Sequence, residues 1–257
     1  MKIIKSLQNQ NIKDIAKLKE KKYRDMTGLF LIEGEHLVRM AIESGNLETI
    51  LVDENAIEKY LDFIDEENTI IVNEAIVNKL SYTKSPQGIV GVVRKKEIYV
   101  QGLSKVLILD NLQDPGNVGA LLRSALAFNY NQVFISNESV DIYNDKVIRA
   151  SQGAIFKLNI KRDSLSNIYS LLKDEKFKIY ATGLTNNSLY LEDLKPSKKC
   201  ALVLGNEGNG ISEETKNEAD EIVKINMSSK IDSLNVSVAG SIAMYYIKGE
   251  NKLWNLQ

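Results

Sequence analysis

A chain of 257 residues that is 44% hydrophobic has enough apolar side chains for a full core, in one large or two small domains. Its formal net charge of -1, with 33 basic against 34 acidic residues, excludes the strongly basic class of non-specific nucleic-acid coats. A single cysteine, Cys200, and a single histidine, His36, exclude an intrachain disulfide, a CxxC redox pair and a zinc site built on several Cys or His ligands. The opening MKIIKSLQNQ lacks the apolar stretch of a secretory signal, and no segment reaches the apolar length that spans a bilayer. A cytoplasmic protein with no membrane partner is therefore expected.

Charge is concentrated locally. Residues 1–28 hold eight Lys or Arg against three acids, a net of +5. A helix is expected from about Asn11 to Arg24, with Ile12, Ile15, Ala16 and Leu18 as its apolar stripe and Gly28 as its stop. Its lysine-rich face suits either a solvated amphipathic helix or a surface that meets phosphates. A strand at LFLIEG, a helix near His36 to Ser44, a strand at TILVDE and a helix around Ala56 to Ile64 follow, then strands at TIIV and GIVGVVR. These make a small α/β domain over residues 1–96, in which His36 suits a surface or capping role. The polar stretch RKKEIYVQGLS then suits a linker at 97–104, ahead of a second domain at 105–257.

The second domain is more regular. Buried-type strands are expected at VLILD (106–110), QVFIS (132–136), KIYATGL (178–184), ALVLG (201–205) and EIVKINM (221–227). Apolar strands with helices between most of them imply a parallel sheet covered by helices on both faces. Ligands of such sheets bind beyond the carboxyl ends of the strands, which here carry NLQDPGNVG, TGLTNN, GNEGNGIS and NMSSKIDSLN. None of these loops has the GxxxxGK[ST] or GxGxxG spacing of a nucleotide cradle. Cys200 directly precedes an apolar run and reads as a buried thiol.

In PGNVGALLR, Pro115 and Gly116 set a turn and Asn117 is expected to cap the next helix. Arg123 is the only charged residue from Val118 to Phe128. Either it snorkels at a surface or its guanidinium is held at the crevice for a phosphate or an oxyanion. In GNEGNGIS, three glycines allow a tight loop, Ser212 is an expected helix N-cap, and Glu207 has no evident structural purpose. In DSLNVSVAGSIAMYYI, Ser233 is the expected N-cap, with Asn235 and Ser237 early in the helix on the crevice side.

Together DPGNVGALLRSA (114–125), LVLGNEGNGIS (202–212) and INMSSKIDSLNVSVAGSIAMY (225–245) resemble, in order and approximate spacing, the SpoU-type RNA 2'-O-ribose methyltransferases of the SPOUT superfamily. FLIEGEHLVRMAIESG (30–45) and SVDIYNDKVIRASQGAIF (139–156) resemble the branch with a ribosomal-protein-like N-terminal substrate-binding domain, so the resemblance covers nearly the whole chain. It implies an α/β fold whose C-terminal, mostly parallel sheet ends in a deep trefoil knot, an exception to unknotted folding. It implies S-adenosyl-L-methionine as cofactor, lined by Gly205, Ile225 and Leu234, with Thr182 and Gly183 nearby and Met227 as a further candidate. Asn117, Arg123, Glu207, Asn235 and Ser237 would form the catalytic surroundings, in a homodimer whose two subunits both contribute. Where the family has I-P-M and a glycine two residues on, this chain has Asn226 and Ser229. The cofactor contacts carried over do not use those side chains.

The implied substrate is RNA, with 23S ribosomal RNA ahead of transfer RNA, and Lys17, Lys19, Lys21, Lys22 and Arg24 would touch its phosphates. Methyl transfer from a sulfonium to a ribose hydroxyl needs alignment and help in losing a proton, but neither a metal nor a covalent enzyme intermediate. An arginine is effectively always protonated, so Arg123 is expected to pair with an RNA phosphate or stabilise the emerging alkoxide. Two other classes remain open on sequence: a catalytically silent RNA-binding or ribosome-assembly factor on the same fold, and a nucleotide-dependent oxidoreductase on an ordinary doubly wound sheet.

Overall fold

A computed structural model describes residues 1–95 and 102–248. The first elements are β1 (Lys2–Ile4), α1 (Gln10–Lys17), α2 (Lys21–Thr27), β2 (Leu29–Glu33), α3 (Glu35–Glu43), β3 (Leu47–Asp53), β4 (Thr69–Val72), α4 (Glu74–Leu80) and β5 (Ile89–Arg94). Then come β6 (Lys105–Leu109), α5 (Pro115–Ala127), β7 (Gln132–Ser136), α6 (Asp145–Ser151), β8 (Asn159–Asp163), α7 (Leu165–Asp174), β9 (Lys178–Thr182) and β10 (Leu189–Tyr190). The last are β11 (Cys200–Leu204), α8 (Glu213–Glu218), β12 (Glu221–Lys224) and α9 (Val236–Ile247). The chain divides into two compact units, Met1–Glu97 with Tyr143–Phe156, and Ile98–Ile142 with Lys157–Gln257. Of the expected linker at 97–104, residues 97–101 lie outside the described residues.

The first unit is a five-stranded sheet in the order β1-β4-β3-β5-β2, in which β5 runs antiparallel to both neighbours. Ile12, Ile15 and Leu18 bury their side chains with Leu51, Val72, Ile76 and Leu80, as the apolar spacing requires. The single helix expected over 11–24 is instead two. The chain tightens where Leu18 N donates to Ile15 O, and α2 starts after Glu20 in extended backbone. Arg24 explains how this break is tolerated: its Nη1 donates to Leu18 O and Lys19 O at 3.0 and 2.7 Å, taking up carbonyls freed where the helical bonding stops. Gly28, at a φ of 69°, closes α2 in the left-handed region. The expected helix at 56–64 reduces to one 3-10 turn, Ile57–Tyr60, whose buried Tyr60 donates its hydroxyl to Gln87 O at 2.6 Å.

Tyr143–Phe156, which the sequence division leaves with the second domain, belongs to this first unit. The Phe30 ring lies 4.7 Å from Tyr143 and 6.4 Å from Phe156, and Lys95 Nζ sits 4.6 Å from the Tyr143 ring centre. A Cβ at Gly153 would fall 2.2 Å from Met40 Sδ, and its φ of 83° also favours glycine there.

The second unit is a seven-stranded sheet, parallel throughout, ordered β10-β12-β9-β11-β6-β7-β8. β11, β6 and β7 are interior strands and almost wholly buried, which is why they read as continuous apolar runs. β8 (NIKRD) and β10 (LY) escape that criterion: both are edge strands, one half-buried and polar, the other two residues long.

At the carboxyl end of β6 the buried Asp110 accepts from Ser212 N at 2.9 Å, Ser212 Oγ at 2.8 Å and Thr215 Oγ1 at 2.6 Å. Thr215 Oγ1 in turn pairs with the Tyr169 hydroxyl at 2.6 Å. Ser212 is the N-cap of α8, as expected, so one carboxylate ties the start of that helix to the sheet. Asp110→Ala leaves these donors without their acceptor and is expected to cost about 2–3 kcal/mol. Urea unfolding measures this; an unchanged midpoint and slope would refute the assignment.

Candidate active site

The loops after β6, β11 and β12 emerge at one end of the parallel sheet, and their polar side chains join there. Asp114, not Asn117, caps α5, because its Oδ1 accepts from Asn117 N at 2.8 Å and Pro115 takes the first helical position. Asn117 therefore has its side chain free to bridge. At α9 the cap is Asn235 rather than Ser233: Asn235 Oδ1 accepts from Ser237 N at 2.9 Å, Ser237 Oγ at 2.6 Å and Val238 N at 3.4 Å.

These two asparagines meet. Asn235 Nδ2 donates to Asn117 Oδ1 at 2.9 Å, and Asn117 Nδ2 donates to Glu207 Oε1 at 3.2 Å. Glu207 also accepts from the backbone N-H groups of Gln113 at 3.3 Å and Asp114 at 3.2 Å. Its carboxylate thus sits at the positive, amide-rich entrance of α5. Four of the five expected catalytic residues, Asn117, Glu207, Asn235 and Ser237, lie in one hydrogen-bonded chain. Arg123 does not join it. That side chain is exposed on α5, and among the described residues it has no hydrogen-bond or ion-pair partner.

Small residues let α9 pack on α5. A Cβ at Gly240 would lie 2.4 Å from Leu204 Cδ1 and 2.6 Å from Leu121 Cδ2, while the Ser124 and Ser241 hydroxyls pair at 2.7 Å. Beside this packing lies a cavity of about 550 Å³, lined by all six expected cofactor residues, Thr182, Gly183, Gly205, Ile225, Met227 and Leu234, and by Glu207 and Asn235. At Gly205 a Cβ would fall 2.3 Å from Gly210 C and Ile211 N, because Asn206 and Gly210 exchange backbone hydrogen bonds at 2.8 and 2.9 Å. Only glycine fits that closure.

Asn206 is the residue that sequence reasoning missed. It lines the cavity, its Oδ1 accepts from Gly208 N and Asn209 N at 2.9 and 3.0 Å, and its Nδ2 donates to Asn111 O at 2.8 Å. The available signal was an asparagine directly after the Gly205 turn, a residue type that bonds its own loop backbone.

A family model for the SpoU rRNA methylase family matches residues 104–245, and one for the MRM3-like substrate-binding domain matches residues 9–91. The chain belongs to the SpoU rRNA methylase family. It is 36% identical over 251 residues to the 23S rRNA (guanosine(2553)-2'-O)-methyltransferase RlmP of Bacillus subtilis, covering 97% of this chain and 100% of that one. Among solved structures, an AdoMet-bound rRNA methyltransferase from Sinorhizobium meliloti superimposes with a TM-score of 0.85 at 27% identity, over 96% of this chain and 97% of the other. An RNA 2'-O ribose methyltransferase superimposes with a TM-score of 0.80 at 31% identity, over 95% and 97%.

The basic residues of this SpoU methylase do not form the single phosphate-facing row expected of one helix. Arg24 is buried with its guanidinium on carbonyls, which removes it from any such surface. Lys19 is half-buried and donates to Ser81 O at 2.7 Å, and Lys17 pairs with Asp14 at 2.7 Å. Lys21 and Lys22 are exposed. The break after α1 is the reason: the segment is two short helices, so a single helical face does not run through it. His36 is exposed on α3. Among the described residues, no group of three or more His, Cys, Asp or Glu side chains is arranged to hold a metal, and no helix is long and apolar enough to cross a membrane.

Cys200 starts β11 with its thiol buried, and burial pushes its pKa up to about 11. The native protein at pH 8 is expected to resist a thiol reagent that labels it fully in denaturant, since both access and thiolate are lacking. Rapid native labelling would place a reactive thiol where none is expected.

Proposed function

We propose that this SpoU methylase transfers a methyl group from S-adenosyl-L-methionine to a ribose 2'-hydroxyl of 23S ribosomal RNA. The observation that carries the reading is the cavity bounded by the Gly205 closure, with Glu207 and Asn235 on its wall and Asn117 bonded to both. Its size lies within the usual range of about 300–1,000 Å³ for cofactor sites. Its lining of Gly183, Gly205, Leu191, Ile225, Leu234 and Ala243 fits a cofactor with a flat apolar base and a short chain, read by loop backbone. When bound, that cofactor supplies a methyl group on a positively charged sulfur.

The chain's own contribution is placement. The Glu207–Asn117–Asn235 bridge fixes the loops after β6, β11 and β12 relative to one another, so an acceptor ribose meets a preformed wall. Arg123, cationic and uncommitted, holds an RNA phosphate or stabilises the alkoxide as the hydroxyl proton passes to solvent; the oxygen–methyl bond would form as the sulfur–methyl bond breaks, leaving S-adenosyl-L-homocysteine. The trefoil knot belongs to this reading, supported by the contacts of Asn206 with Asn111 and of Asn235 with Asn117, which hold two later loops against the first. Ribosomal RNA is favoured over transfer RNA by the 23S-directed name of the Bacillus relative, which this chain matches over its whole length. A ribosomal substrate also implies work in the cytoplasm.

The reading includes a homodimer. Val238, Ile242 and Tyr245 are 47%, 40% and 57% exposed on α9, at the spacing of one helix face. Large apolar side chains so aligned suit a second copy of the chain. Ile242→Glu is expected to shift the species seen by sedimentation velocity from dimer to monomer; a wild-type monomer would remove this part of the reading.

The deciding test combines a calorimetric titration of S-adenosyl-L-methionine with mass-spectrometric mapping of methylated nucleotides on unmodified 23S and transfer RNA. Binding without methylation of 23S RNA overturns the substrate, and no binding leaves the silent RNA-binding factor. Arg123→Ala is expected to lower kcat by about 10²–10³ while cofactor affinity stays within twofold or so. Near wild-type turnover would remove Arg123 from the reaction.

A further inference from the structure

The edge strand β8 carries Arg162, a residue that does not line the cofactor cavity. In the parallel pairing of β7 with β8, Arg162 lies opposite Ile135, one position before the end of β7. Its guanidinium reaches over that end. Nη1 donates to Ser136 O at 2.6 Å, Asn137 O at 2.9 Å and Ser139 O at 2.9 Å, and Nη2 donates to Val140 O at 2.6 Å. Four carbonyl oxygens that converge on one place repel one another, and a cation between them removes that repulsion. The planar fork of an arginine spans all four, whereas a lysine offers three donors on a single atom.

The segment gathered in this way holds the loop after β6. Ser136 and Ser139 are buried, with their hydroxyl oxygens 2.9 Å apart. Ser136 Oγ accepts from Asn111 N at 2.9 Å, Ser139 Oγ accepts from Leu112 N at 3.0 Å, and Val140 N donates to Leu112 O at 2.9 Å. Gln113 Nε2 donates to Glu138 O at 2.6 Å. The next two amides, those of Gln113 and Asp114, are the ones that Glu207 accepts. Hydrogen bonds therefore lead from Arg162, through residues 136–140 and 111–114, to Glu207, Asn117 and Asn235.

Asn111 shows that this path fixes a conformation as well as a set of contacts. Its φ is 59°, in the left-handed region, which a residue other than glycine keeps where its surroundings determine it. Its amide is taken by Ser136, its carbonyl by Asn206 Nδ2 at 2.8 Å and its Oδ1 by Gln113 Nε2 at 2.7 Å.

We propose that Arg162 is a positioning residue for methyl transfer: by gathering the carbonyls of 136–140 it sets the conformation of 111–114 that aims Glu207 and Asn117 at the acceptor ribose. The inference rests on the methyltransferase reading for its reaction. Arg162 is half-buried, so water reaches the carbonyls once the side chain is removed, and the loops shift without the sheet unfolding. A shift of about 1 Å in a wall that aligns reacting groups is enough to cost about 10²-fold in rate.

The test is methylation kinetics of the full chain on unmodified 23S RNA. Arg162→Ala is expected to lower kcat about 10²-fold while KM for RNA and S-adenosyl-L-methionine affinity stay within about twofold. Arg162→Lys recovers part of the loss. Guanidinium ion, added well below unfolding concentrations, raises kcat of Arg162→Ala and leaves Arg162→Lys unchanged. A variant that was merely unstable would lose activity instead, because guanidinium is a denaturant. Lys161→Ala, which removes a charge from the adjacent exposed position, keeps wild-type kcat. Hydrogen exchange without RNA supplies a second readout: the amides of 111–114 exchange about tenfold faster in Arg162→Ala and slow again with guanidinium, while those of β6 and β11 keep their rates.

Wild-type kcat in Arg162→Ala overturns the proposal, as does a joint fall of kcat, cofactor affinity and melting temperature that guanidinium does not reverse. Faster exchange confined to 136–140 overturns it too, because the coupling to 111–114 is then missing. If Arg162→Ala does not fold, Arg162→Lys decides through the same comparison of kcat with affinity. A wild-type chain that methylates no RNA fails the methyltransferase reading, and hydrogen exchange still decides whether Arg162 sets 111–114.

Discussion

A carboxylate buried at the end of a central strand costs several kcal/mol to desolvate unless donors fill its lone pairs. Asp110 is 1% exposed and has three, all from Ser212 and Thr215. Because those donors belong to the first turn of α8, satisfying the carboxylate fixes where the loop 205–211 must end. Its start is fixed by β11, and Asn206, its second residue, is fastened to Asn111, the residue after Asp110. A loop pinned at both ends and closed on itself by the Asn206–Gly210 backbone pair has no slack, which is why Gly205 has backbone where a Cβ would be. The cavity wall follows from one buried charge.

The same economy appears between α5 and α9. Gly240 brings the helices close enough for the Ser124 and Ser241 hydroxyls to meet, and that approach sets the Asn235 cap within reach of Asn117. Each asparagine then serves two purposes. Asn235 satisfies the first amides of α9 with its oxygen and spends its nitrogen on the bridge, while Asn117 passes the bridge to Glu207. The geometry of the wall is thus carried by helix capping and packing, the most local and the most collective of folding interactions.

This division explains what could be read in the sequence. β6, β7 and β11 were legible because strands buried on both faces leave continuous apolar runs, while β8 and β10 were not, being edges without that pressure. The stripe Ile12, Ile15, Leu18 identified a buried face correctly but could not reveal the break after Lys17, since the break keeps all three side chains in the core. The caps were misassigned for a related reason: Asp114 and Asn117, or Ser233 and Asn235, are all competent capping residues within one turn, and tertiary contacts choose between them. The cavity-lining residues were accessible only through three ordered motifs resembling a known family, because their proximity depends on strand order, which apolar periodicity does not encode. For Tyr143–Phe156, sequence contiguity actively misleads, since its aromatic partner Phe30 lies more than a hundred residues earlier.

Arg24 and Arg123 show how little a residue type says before its neighbours are known. Both are arginines close to helical apolar stripes. Arg24 is consumed by the backbone it repairs, with carbonyl oxygens at its guanidinium, and a charge so enclosed has no reach toward a polyanion. Arg123 stands on a helix whose own caps and hydroxyls are already satisfied by α9 and by Glu207, so no internal acceptor competes for it. A cation left exposed beside a completed polar network gains most from an anion that arrives with a ligand, and a nucleic-acid backbone supplies one at every nucleotide. The fold therefore treats the two cations oppositely: Arg24 is consumed inside the chain, and Arg123 is left exposed on α5 with no hydrogen-bond or ion-pair partner among the described residues.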